Sequence, residues 1–184
     1  AGVYMILRLI QRVHCHVLFC EDEETGGHGA RAFTKSGIKP DVNYIVELDR
    51  TGSNDAVFYQ CRNRQFERHI NSFGFQTAFG SFSDISILAP HLNLAAVNLS
   101  TGYYHAHQPG EYVRLDEVED LVGRIAKLLQ TKQNSFLTRR GLRTRKLGRT
   151  KRICSGNGSL HCLTRYFVRS ITRMLPTGAD IIWT

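Results

Sequence analysis

Four acidic residues, Glu21, Asp22, Glu23 and Glu24, stand in a row and run into the glycine-rich stretch Thr25-Gly26-Gly27-His28-Gly29. Neighbouring carboxylates repel one another unless a cation or solvent intervenes, so such a run is either a solvated acidic turn or one wall of a cation site. Two more metal-capable side chains occupy comparable places: Asp49 closes the apolar run YIVELD, and His107 follows the run AAVNLS in a polar stretch. If each run is a strand, three strand ends carry carboxylate or imidazole groups, and open α/β sheets bind their ligands at such ends. Oxygen donors with a histidine suit zinc, and manganese or cobalt fit the same set. Three such ends could converge on one site able to hold a cation.

Other residues compete for these roles. His105 lies two positions before His107 and is its rival. His14 and His16 would share one face of a strand and read as structural, and His28 in the glycine turn reads as solvated. Asp84, in GSFSDIS, reads as a helix cap or as a polar residue bordering a cleft. Tyr103 and Tyr104 would either wall that cleft or pack beneath it.

The elements that must position these groups follow from periodicity. Residues 4–12 carry apolar side chains at helical spacing and predict a helix that begins at or before the first residue. Residues 13–19, 43–48, 56–60 and 94–99 predict strands, the first ending just before the acidic cluster. A short helix is expected over 30–36, a weak one over 66–75, and a loop over 103–111. Leu115, Val118, Leu121, Val122, Ile125, Leu128 and Leu129 fall at spacings of three and four, so 116–130 is the clearest amphipathic helix. Asp116 and Glu119 have the spacing of a capping box. Strands alternating with helices predict an α/β domain of three layers around a mixed central sheet.

With the motifs in this order, the sequence resembles a known family. The segment VLFCEDEETGGHGARAF is similar to the one in which co-catalytic dizinc aminopeptidases, dipeptidases and carboxypeptidases present a Glu-Glu pair before glycines. The resemblance implies that Glu23 is the general base and Glu24 a ligand of one zinc. YIVELDRTGSNDAVFY resembles the family strand whose terminal acid binds the other zinc, which implicates Asp49. GYYHAHQPGEYVRLDEVEDLV resembles the closing motif and makes His107, four residues before Glu111, the last ligand. The likeness spans residues 1–130 and implies a zinc-exopeptidase-like αβα fold, two Zn2+ ions and a peptide substrate. The family's upstream His-x-Asp and bridging aspartate would fall before Ala1. The expectation is therefore an N-terminally incomplete site with three of the usual five protein ligands and weak metal binding.

Composition separates the rest. The 184 residues, 42% hydrophobic and 10% aromatic, suit one main globular domain. No apolar run approaches the roughly 20 residues of a bilayer span, and the first ten residues lack the marks of a signal peptide. Cys15, Cys20, Cys61, Cys154 and Cys162 are odd in number and without CxxC spacing, which fits a reducing cytoplasm. The net charge of +8 is uneven: residues 131–184 hold 12 of the 24 Lys and Arg with a single acid, Asp180, whereas residues 1–130 net −3. Residues 131–184 thus read as a separate basic extension, disordered or aberrant, with a helix over 162–175. Nucleic-acid binding through that extension is the rival function.

Overall fold

The computed structural model describes residues 1–59, 61 and 63–131, together with the backbone of strand 179–183. Its organising strand is β2 (Val42–Arg50), in which Tyr44, Val46 and Leu48 face one core and Val42 and Ile45 another. A strand covered on both faces gains nothing from polar alternation, so YIVEL reads as one apolar run.

The chain forms α1 (Gly2–Leu9), β1 (His16–Leu18), α2 (His28–Lys35), β2, β3 (Asp55–Val57), α3 (Arg64–Asn71) and β4 (Gln76–Ala78). It continues through α4 (Ile85–Leu92), β5 (Ala96–Ser100), the short pair β6 (Tyr103–Tyr104) and β7 (Tyr112–Val113), α5 (Leu115–Gln130) and β8 (Ala179–Trp183). The main sheet has the order β1-β8-β2-β5-β3-β4. Neighbours are parallel except β3 and β5, which run antiparallel, so the sheet is mixed. The larger core joins α1, α3 and α5 to the sheet through Met5, Ile6, Phe66, Ile70, Leu121 and Ile125. The smaller joins α2 and α4 to the other face through Ala30, Ile85, Leu88 and Ala89. Helices on both faces of a mixed sheet bear out the α/β class expected from the sequence. No helix among the described residues is long and apolar enough to cross a membrane.

Three local expectations need correction. β4, α4 and the β6–β7 pair are additional to the predicted elements. α4 escapes a periodicity reading because ISILAPHL is nearly all apolar and contains Pro90; the helix closes one turn later with left-handed Asn93, φ 58°. The capping box does not form. Helix α5 begins at Leu115, so Asp116 lies inside the first turn, where it pairs with Arg114 at 2.8 Å, while Glu119 pairs with Arg8 at 2.8 Å. Asp84 sits at the N-cap position of α4 but in helical backbone geometry, and its side chain makes no capping bond. A cap needs extended geometry to aim its oxygen at the following amides. The helix expected over 162–175 lies outside the described residues, and of the basic segment only Thr131 and strand β8 lie within them.

Candidate carboxylate and histidine site

Beyond β1 the chain turns sharply to lift the acidic cluster over the end of the sheet. The amides of Gly26 and Gly27 bond back to the carbonyls of Glu23 and Asp22, both at 3.0 Å, and Asp22 is left-handed with φ 58°. Gly27 is also left-handed, φ +68°, and a Cβ there would lie 2.6 Å from Ile87 and 2.9 Å from Asp84 Oδ1. At Gly29 a Cβ would meet the Glu21 backbone nitrogen at 2.6 Å. These two glycines let the turn pack against α4 and against the chain at Cys20 and Glu21 that leads into it, which no larger residue permits.

Asp49 is positioned by an irregularity in β2. Glu47 pairs with Asn98 and Arg50 with Ser100, which leaves one extra residue on β2. Such a bulge re-aims side chains at a sheet end. It is held by the Asp49 amide donating to Asn98 Oδ1 at 3.1 Å and by the Tyr103 hydroxyl donating to the Asp49 carbonyl at 3.2 Å.

His107 arrives from the loop between β6 and β7. It is left-handed, φ 59°, and its amide donates to Glu111 Oε2 at 3.1 Å. Its Nε2 lies 3.2 Å from Glu24 Oε1, with both side chains about 70% exposed, at 72% and 70%. His105, also left-handed at φ 58°, packs its ring edge on Tyr112, whose ring stacks on Tyr104. The structure thus brings Glu24 and His107 into contact and turns His105 toward the tyrosines. His14, His16 and His28 are exposed.

The electrostatics bind the cluster together. Desolvation, then Asp49, Glu24 and Asp84, push Glu23 up to about 7, while His107 pulls the other way. Asp49 is raised by desolvation, Glu24 and Asp84, against His107. Burial pushes Asp84 up as well. Carboxylates that raise their neighbours in this way form a patch of negative potential, which attracts a cation. Glu23, Glu24, Asp49 and His107 supply the oxygen and imidazole donors that zinc takes. Among the described residues no group of three or more such side chains is already closed around a metal-sized point, and Glu24 and His107 bond to each other. The donor types fit a metal ion; the ligand shell is not preformed.

A buried polar layer under the patch had no counterpart in the sequence reading. Glu47, 2% exposed and pushed up to about 8 chiefly by burial, accepts a short hydrogen bond from Ser83. Asn98 donates to Ser83 Oγ at 3.3 Å and accepts from the Asp49 amide at 3.1 Å. The Tyr59 hydroxyl joins Asn98 and Ser83. Only the polar residues inside otherwise apolar runs, Glu47 in YIVEL and Asn98 in AAVNL, could have signalled it. No family model, curated protein or solved structure matches the chain.

Proposed function

We propose that this chain is a metal-dependent hydrolase of the two-zinc exopeptidase type, acting on peptide bonds in a zinc-exopeptidase-like αβα fold. One observation carries the reading: Glu24 Oε1 and His107 Nε2, on loops at opposite ends of the domain sequence, meet at 3.2 Å. They do so on the patch that also holds Glu23 and Asp49. Nothing in core packing requires an exposed Glu–His contact, which as a surface ion pair is worth about 0–1 kcal/mol.

In this reading Glu24, Asp49 and His107 hold Zn2+, with Mn2+ or Co2+ as substitutes. The ion supplies positive charge that polarises a carbonyl when it is bound. Glu23 is the general base. It stands next to a ligand but is half-buried where Glu24 is exposed, and in this role it keeps its lone pairs for a proton from water and returns that proton to the leaving amine. Glu111 holds the His107 loop, and Asn98 with Tyr103 holds the backbone of Asp49.

Zinc titration of the full chain against a chromogenic chelator tests the reading. Glu24→Gln and His107→Ala are each expected to weaken binding about tenfold or more. Glu23→Gln should leave zinc affinity within about twofold yet abolish hydrolysis of a dipeptide panel. Equal zinc affinity in all four proteins, or none in the unaltered chain, would sink it.

A further inference from the structure

A cleft of about 510 Å³ opens beside the carboxylate patch, between β3, β4 and the loop that leads to α4. Its walls include Val57, Tyr59, Ala78, Phe79 and Phe82, and none of the described residues lining it is charged. Phe79 is 86% exposed and Phe82 40%. Leaving two phenylalanine rings in water costs free energy that burial against a partner recovers. Phe79 belongs to no core cluster that would explain it.

Two of the walls also reach the patch. The Phe82 ring tip and Asp84 Oδ1 lie 3.3 and 2.9 Å from the same point, the Cβ position on Gly27, within the turn that carries Glu23 and Glu24. Tyr59 is left-handed, φ 46°, and its hydroxyl joins the Asn98–Ser83 layer that fixes the Asp49 amide. The cleft and the patch therefore share their supporting residues, so a ligand group in one lies next to a bond presented to the other.

We infer that this cleft receives a large apolar side chain, aromatic or branched, from the peptide whose bond is presented to Glu23. The assignment rests on the hydrolase reading above for the identity of that peptide. The chemistry selects the occupant: aromatic walls gain from apolar area, and none of the described lining residues offers a cationic or anionic side chain a counter-charge for its lost hydration.

The test needs no turnover. The full chain is titrated by NMR with L-phenylalaninamide, glycinamide and L-lysinamide, with and without Zn2+. L-phenylalaninamide is expected to bind about tenfold tighter than glycinamide, and L-lysinamide no tighter than glycinamide. Phe79→Ala, at a ring too exposed to carry the fold, should bring the first ratio to within about twofold while zinc affinity holds, and Phe82→Ala should lower that ratio to a similar extent. Equal binding of the three amides, or a preference that both variants leave intact, overturns the assignment. The two readings fail separately. A preference for L-phenylalaninamide in a chain that binds no zinc sinks the hydrolase and keeps the cleft, whereas zinc bound through Glu24 and His107 without amide preference does the reverse.

Discussion

At the level of single residues, backbone strain marks the site. Asp22, His105 and His107 are left-handed without being glycine, in the two loops that supply Glu23, Glu24 and His107, and Tyr59 is left-handed at the wall of the cleft. Such geometry costs on the order of 1–3 kcal/mol per residue and persists where neighbours over-determine it; here Glu111 and the Asn98 layer do so. His69 has a different role. Its ring lies edge-on to Tyr44 at 6.3 Å and Phe73 at 5.3 Å, and burial holds its pKa below the ordinary 6.5. As pH falls through 6.5 the unfolded chain takes up the proton first, so this part of the stability is complete above that pH and is lost toward the lower folded pKa. Urea midpoints of the natural chain and His69→Phe should run parallel above about pH 7 and diverge toward about pH 5, the natural chain losing more. Curves that stay parallel throughout would remove His69 from the pH response. The metal-capable residues were legible because acids, glycines and histidines at strand ends are unusual in composition. Asn98, Ser83 and Tyr59 were not, because their significance lies in contacts between distant segments that no local pattern encodes.

Among the elements, α5 separates what was legible from what was not. Its apolar stripe is what the spacing predicts from Val118 on, with Val118, Leu121, Val122, Ile125 and Leu128 all buried, whereas Leu115, expected in the same stripe, stands exposed at the start of the helix. The polar start differed, because a capping box depends on which residue begins the helix, and boundaries are set by the chain that precedes them. The acid that was expected to cap instead joins α5 to α1: Glu119 accepts from Tyr4 at 2.7 Å and Arg8 at 2.8 Å. The side chains of Arg8 and Glu119 are 35% and 42% exposed, so solvent screens the pair and its contribution is about 0–1 kcal/mol. Leu121, 1% exposed in the larger core, loses both transfer energy and packing when shortened. Leu121→Ala should therefore cost about 2–5 kcal/mol and Glu119→Ala less than about 1 kcal/mol in urea unfolding. A larger loss from Glu119→Ala would mean that the α1–α5 contact is electrostatic rather than apolar. The strands β2 and β5 were legible for the reason Leu121 is costly, since burial on both faces demands continuous apolar sequence. Strand β4 and the β6–β7 pair are two or three residues long, too short for alternation to register.

For the molecule as a whole, the two halves of the site are set apart by one strand. β8 lies between β1 and β2, parallel to both, with Ile181 level with His16 on one side and Ile45 on the other. At a strand spacing of about 4.8 Å, this holds the ends of β1 and β2 about 10 Å apart, and from those ends the chain proceeds to Glu23–Glu24 and to Asp49. Nothing local flags ADIIW as a strand of this sheet, because it follows a long basic stretch whose composition points away from a core. A proline inside a strand paired on both sides removes an amide that one neighbour needs and crowds the other. Ile181→Pro in the full chain is therefore expected to release β1 from β2. Hydrogen exchange read peptide by peptide should show faster exchange over 16–18 and 42–46, while 118–128 in α5, anchored to the larger core, stays protected. Because Glu24 and His107 approach from β1 and from the β6–β7 loop, zinc affinity should fall in the same variant by a factor comparable to His107→Ala. Unchanged protection over 16–18 would show that β1 keeps its place without β8, and that the separation of the acidic turn from Asp49 is set by the helices alone.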